Sequence, residues 1–284
     1  TEIRDWIDVE LHHLSNKTIN DVLIVLRGVF SDYKDDNPSI INPLDNITNK
    51  PVSAIEIDPF TLEEIRKIVE APTKRISERN MIEFAIWSGL SLSEFIALAW
   101  EDIDLAAGEA TIRRARVRKK WKSTKEEVRV RKIELTDRAK EVLTRQSDLT
   151  ANLPPITIEV IQSDNKTVRK ETIRPVFLRT DSLKTFDNDF TVRDRFFKTH
   201  LKRAGVRYRG PNNCRHTYAS QMLTSGIPKM WVADQMGHSN TDMIDKHYGK
   251  WIREDSPGMA ELASRLLEER ETRVFDRSQT RPIE

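Results

Sequence analysis

The sequence predicts a mainly α-helical protein of two domains that carries one small antiparallel β-sheet. Three observations predict it. Apolar residues recur at helical spacing, as in Ile19, Val22, Leu23, Leu26, Val29 and Phe30. Dense β-forming alternation appears in one stretch, Ala110 to Leu135. Proline punctuation at Pro38, Pro43, Pro51 and Pro59 sets a small unit, residues 1–52, apart from a larger one, 61–284, with 53–60 as linker. A chain of 284 residues is long enough for both to bury a core.

Composition narrows the function classes. The net charge of +2 excludes a uniformly polybasic protein, so any nucleic-acid surface must be local. The single cysteine, Cys214, excludes a disulfide framework and suits a reducing cytoplasm. There is no apolar run of membrane-spanning length and no basic-then-apolar leader.

The elements follow in order. The first unit is helical after Asn16-Lys17-Thr18, and its acids (Asp5, Asp8, Glu10, Asp32, Asp35, Asp36) read as a solvated face. Thr61-Leu62-Glu63-Glu64 is a capping box that opens the second unit. Ile82, Phe84, Ala85 and Trp87 carry the next helix to Gly89. The β-forming stretch holds the densest basic cluster in the chain: Arg113, Arg114, Arg116, Arg118, Lys119, Lys120, Lys122, Lys125, Arg129, Arg131 and Lys132. Only Glu126 and Glu127 oppose it, so a basic strand pair suited to a DNA groove is expected there. A helix at 137–149 and a hairpin about Asp164-Asn165 come next. Thr191 then caps a helix through Phe196, Phe197 and Leu201 to Gly205. Gly226 and Pro228 stop one helix and start another, and residues 258–270 form a final amphipathic helix.

The chemistry gathers between Tyr208 and Trp251. Arg215 offers a planar fork suited to phosphate oxygens. His238 can donate to the same phosphate near neutral pH. Tyr248, ten residues beyond His238, offers a phenol able to attack phosphorus. A phenol pKa of about 10 means that such a nucleophile needs cations around it. A metal site from Cys214, His216, His238 and His247 lacks any zinc spacing, and none is expected. His216 reads as a packing residue.

The order R-H-T-Y-A, G-H and Y, at Arg215, His238 and Tyr248, resembles the tyrosine recombinases, in particular phage and integrative-element integrases. The resemblance implies their DNA breaking-rejoining catalytic fold, with residues 1–52 the end of a helical core-binding domain and a further N-terminal domain upstream. It implies attack by Tyr248 on a scissile phosphate, giving a 3′-phosphotyrosine and a 5′ hydroxyl, with no cofactor or metal. Arg215 and His238 hold the phosphate, and Glu94 buttresses from behind. Lys125 matches the family's general acid best, with Lys122 the other candidate. Two positions depart from the pattern. Ser91 stands where Gly89-Leu90-Ser91-Leu92-Ser93-Glu94 would carry a second clamping arginine, and Asn212 stands where the second box has a histidine. Ser91 is therefore expected to impair cleavage, unless a neighbouring arginine has taken over. The implied partners are double-stranded attachment-site DNA, a tetramer assembled on it by exchange of the C-terminal tail, and host DNA-bending or directionality factors. The tail helix docks either on a neighbouring protomer or on its own domain. Two rivals remain, a type IB topoisomerase and a DNA-binding homologue that has lost catalysis.

Overall fold

The computed structural model describes residues 2–52, 57–124, 130–247, 258 and 260–268. The chain divides into two units, Thr1–Glu56 and Ile57–Glu284, a boundary inside the expected linker.

The first unit opens with α1 (Glu2–Asp5), which runs on as a π-helical turn, Trp6–Glu10. Its main element is α2 (Asn16–Asp36), started by Ser15, whose Oγ accepts the Thr18 amide at 3.2 Å. Ile19 and Leu23 enter a core with Ile7 and Leu44, and Leu26 and Phe30 pack at its edge. Val29 is 58% exposed, so the buried stripe is narrower than its sequence pattern. Arg27 ties the helix to the returning chain by donating to Ile47 O at 2.7 Å and Asn49 Oδ1 at 2.8 Å. The expected acidic face is exposed throughout.

The second unit is built on α4 (Ile76–Ser88), preceded by α3 (Leu62–Glu70) with its Thr61–Glu64 capping box in place. Nearly every α4 residue from Ser77 to Ser88 is buried, as expected of a helix covered on all sides. It packs against α6 (Asp137–Thr150) and α9 (Asn213–Thr224). Some of the polar groups that this buries are paired, Asn80 Nδ2 with Gln146 at 3.0 Å and Glu83 with Arg145 at 2.6 Å, while Asn80 Oδ1 and Trp87 Nε1 have no hydrogen-bond partner among the described residues. Between α4 and α6 lie the short α5 (Leu92–Phe95) and five strands: β1 (Ile103–Asp104), β2 (Glu109–Ile112), β3 (Arg114–Val117), β4 (Lys120–Ser123) and β5 (Arg131–Glu134).

These strands form two sheets where the sequence suggested one. The order β1-β2-β5 is antiparallel, and β3-β4-β6-β7 is a second sheet that takes in the hairpin β6 (Ile156–Ile161) and β7 (Val168–Ile173). Its β4–β6 pairing is parallel, which departs from the purely antiparallel expectation. The cause is burial: Ile158, Val160 and Ile173 cover Trp121, Ala97 and Ala99. The chain then forms α7 (Asp189–Val192), a π-helical turn (Arg193–Phe197) and α8 (Lys198–Arg203). Thr191 is not the cap here: its amide and hydroxyl both donate to Asn188 Oδ1, at 3.0 and 3.1 Å. After α9 come α10 (Lys229–Met236), α11 (Asp242–His247) and a helical stretch at 260–268. Gly226 has φ +83°, and a Cβ there would lie 2.8 Å from Leu262 Cδ2, so this glycine lets the stretch dock. Among the described residues no helix is long and apolar enough to cross a membrane.

Candidate active site

Arg215 sits in the first turn of α9 and is held by three groups from two other segments. Its Nη1 donates to Gly89 O and its Nη2 to Met236 O, each at 2.6 Å, and Nη2 is 3.0 Å from His238 Nε2. The two carbonyls are placed by helix ends. α4 ends at Gly89 and α10 ends at Gly237, with left-handed φ of +67° and +72°. The His238 amide closes the second end by donating to Ala233 O at 2.9 Å. A Cβ on Gly89 would lie 2.6 Å from Tyr218 Cδ1, so the approach of α4 to α9 also requires glycine. Arg215 and His238, 23 positions apart, are thus brought together.

Glu94 lies behind this fork. Its Oε2 is 3.8 Å from Arg215 Nη1 and accepts the Ser91 amide at 2.8 Å and the Ser91 hydroxyl at 2.7 Å. Its Oε1 accepts Arg131 Nη1 at 2.7 Å. Burial works to push the Glu94 carboxyl up, but the Arg131 hydrogen bond and charge and the two Ser91 bonds outweigh it and hold it below its ordinary value. Ser91 and Asn212, the two departures from the pattern, line one cleft of about 660 Å³ together with Arg116, Arg118, Arg193 and Tyr208. Asn212 Nδ2 lies 3.4 Å from His216 Nε2, so His216 has a polar contact at this edge.

The basic cluster does not form a single DNA-facing surface. Arg114 is buried, paired to Asp102 and, at 2.6 Å, to Glu171. Arg116 is buried over the Trp121 ring, bonded to Thr185 and, at 2.8 Å, to Asp187. Arg113 Nε forms an ion pair with Asp102 Oδ1 at 2.7 Å. The Arg114 and Arg116 guanidiniums are committed to the second sheet, a correction to their expected groove contacts, whereas Arg113 is half exposed. Arg131 is likewise turned to Glu94. Lys122 Nζ reaches Asn165 at 3.3 Å on the β6–β7 turn. Exposed are the β3–β4 tip, with Arg118, Lys119 and Lys120, and also Arg113 and Lys132, each of which is paired to a carboxylate. Arg118 and Lys119 have φ of +49° and +68°, the left-handed pair that a two-residue hairpin needs, here without glycine. Tyr248, Lys125 and Arg129 lie outside the described residues.

Two groups are inert by burial. Tyr218 is 1% exposed, and burial followed by the Glu134 charge pushes its phenol up. Burial pushes the Cys214 thiol up to about 12. Among the described residues no cluster of His, Cys, Asp and Glu could hold a metal ion.

A helical catalytic unit with an arginine fork, a histidine and a buttressing carboxylate, beside a small sheet, defines the tyrosine recombinase fold. The chain belongs to the phage integrase family, which it matches over residues 57–251. It is 30% identical over 257 residues to IntQ of Escherichia coli (strain K12), a protein described as defective, covering 89% of this chain and 64% of that one. It is 29% identical to the prophage integrase IntR of the same organism, over 74% of this chain and 51% of that one. The chain thus spans between about half and two-thirds of the length of these relatives. Among solved structures, the Tn1549 transposon integrase in complex with circular intermediate DNA superposes with a TM-score of 0.69 at 18% identity, covering 95% of this chain and 84% of that one. A lambda integrase dimer bound to a COC′ core site gives 0.63 at 15% identity, over 88% and 65%. At these identities the likeness is one of fold.

Proposed function

We propose that the chain is the catalytic part of a site-specific DNA recombinase that integrates or excises a phage or other mobile element. Tyr248, its phenolic proton passing to solvent, attacks the scissile phosphate, forming a 3′-phosphotyrosine as the P–O5′ bond breaks. The departing 5′ oxygen takes a proton from Lys125. The 5′ hydroxyl of the partner strand then attacks the phosphotyrosine, and the phenol leaves with a proton. Arg215 and His238 stabilise the charge that develops on the non-bridging oxygens. The observation that carries this reading is the Arg215–His238 pair, 3.0 Å apart and pinned by the Gly89 and Met236 carbonyls. The two carbonyls fix the position of the guanidinium before an anion arrives.

Cleavage is slow because position 91 brings a hydroxyl in place of a cation, and that hydroxyl is spent on Glu94. The same contact favours a second reading, a DNA-binding homologue that no longer cleaves. A nicked suicide duplex bearing the attachment site separates the two: the recombinase accumulates a covalent adduct on the 3′ side of the cut, whereas the binding homologue shifts the duplex without one. The working assembly is four protomers on double-stranded DNA, aided by host bending or directionality factors, in the bacterial cytoplasm, and exchange of C-terminal tails there requires the 260–268 helix to leave Gly226 of its own chain. The lambda integrase tetramer bound to a Holliday junction is a solved relative in fold, with a TM-score of 0.58.

A further inference from the structure

We infer that Arg131 is a positioning residue of the cleavage site: by pairing with Glu94 it keeps that carboxylate from drawing Arg215 off its carbonyl supports. The inference rests on the recombinase reading above. Glu94 faces two guanidiniums and is hydrogen-bonded to one. Arg131 Nη1 is 2.7 Å from Oε1, whereas Arg215 Nη1 is 3.8 Å from Oε2 and bonds Gly89 O at 2.6 Å instead. The three side chains are 17%, 14% and 13% exposed for Arg131, Arg215 and Glu94, so solvent screens their attraction weakly. A Glu94 charge without Arg131 would pull the Arg215 fork across the remaining gap and away from Gly89. Misplacing a reacting or clamping group by about 1 Å costs on the order of a hundredfold in rate.

The surroundings are built for this guanidinium. Its Nε donates to Gln235 O at 3.2 Å, and Gln235 Oε1 in turn accepts the Glu134 amide at 2.8 Å, fastening α10 to β5. A Cβ on Gly237 would lie 2.8 Å from Arg131 Cζ, so the space that Arg131 fills exists because the residue before His238 is glycine. Arg131 Nη2 is buried and has no hydrogen-bond partner among the described residues. A neutral side chain would occupy the space without leaving that donor unmade. The positive charge is the part that Glu94 and Arg215 require. With Ser91 supplying no charge, Arg131 is the cation bonded to Glu94.

The test uses Arg131→Gln, Arg131→Lys and Arg131→Gln with Glu94→Gln, in single-turnover cleavage of the nicked duplex alongside DNA affinity and thermal unfolding. Arg131→Gln is expected to slow cleavage about a hundredfold while affinity changes less than about twofold. Arg131→Lys should recover most of the rate. Adding Glu94→Gln to Arg131→Gln should recover at least about tenfold, because the charge that pulls on Arg215 has gone. A merely structural arginine predicts the reverse, with the double substitution worse than the single. An unchanged rate in Arg131→Gln, or no recovery in the double variant, overturns the inference. If the parent chain forms no adduct, the recombinase reading fails instead, and the guanidinium NMR signal of Arg215, assigned through Arg215→Lys, decides in the absence of DNA. Arg131→Gln must move that signal and adding Glu94→Gln must move it back; a signal that stays put overturns the inference.

Discussion

The Ser91 hydroxyl donates to Glu94 Oε2 at 2.7 Å, three residues along the same chain. Together with the Ser91 amide on the same oxygen at 2.8 Å, it makes the start of α5 a closed local unit. The residue that stands in the place of a clamp therefore fastens Glu94. Ser91→Arg trades one role for the other. Losing the hydroxyl's bond to the carboxylate costs roughly 1.5–3 kcal/mol of stability, whereas a restored donor to the developing oxyanion is worth roughly 3–4 kcal/mol in the transition state. Only the second acts on the barrier, so Ser91→Arg should raise single-turnover cleavage by at least about a hundredfold with DNA affinity nearly unchanged. Equal rates for the two forms would show that the site is already complete.

Tyr248→Phe should abolish the covalent adduct and leave DNA binding intact. The other tyrosines are unequal rivals. Tyr218 is 1% exposed and its phenol is pushed up by burial, and Tyr33 belongs to the first unit. Tyr208 is 43% exposed and lines the cleft with Ser91 and Asn212, so it is the control to make. Peptide mapping of the adduct to Tyr208 would sink the assignment.

The cations of the β-region should divide into two kinds. Alanine at Arg118, Lys119 and Lys120 should flatten the log–log salt dependence of binding by about 0.9 for each phosphate no longer neutralised, on specific and non-specific DNA alike. Arg114→Ala instead leaves the buried Asp102 with only the half-exposed Arg113 beside it among the described residues, and should cost up to roughly 3–5 kcal/mol in stability. Its salt slope should not change. A much flatter slope in Arg114→Ala with normal stability would restore the DNA-facing expectation for that residue.

Stability should depend on Glu94 with a definite sign. Its carboxyl is held below the ordinary value of 4.5, so the folded state binds this proton less readily than the unfolded state. The stabilisation is therefore full above that value and lost as pH falls through the lower folded-state pKa. Denaturant midpoints for the parent and Glu94→Gln should differ most at neutral pH and converge in acid. A gap that is constant from neutral pH to about pH 3 contradicts the paired carboxylate.

Gly237→Ala should both strain the chain and displace Arg131. The left-handed backbone alone costs a non-glycine residue roughly 1–3 kcal/mol, and the new methyl would meet Arg131 Cζ at 2.8 Å. Lower stability together with slower cleavage is expected. Loss of stability with normal cleavage would mean that Arg131 tolerates the displacement.

Local chemistry made the helical part legible in the sequence. The Thr61–Glu64 capping box, the stop at Gly89, the Gly226 and Pro228 break and the Asp164-Asn165 turn are all set by residues within a few positions of one another. So was the site's cast of residue types, because Arg215, His238 and Glu94 carry their chemistry wherever the chain folds. Pairing between distant segments was not legible. The parallel β4–β6 pairing joins Trp121 to Val160, and no local pattern distinguishes it from a free-standing hairpin. Nor could a count of cations separate Arg114 and Arg116, which meet Asp102 and Asp187 inside the second sheet, from Arg118 and Lys119 at its tip. The approach of Arg131 to Glu94 was hidden for the same reason: it depends on a glycine more than a hundred positions away, and only the packing of α10 on β5 brings that space and that charge together.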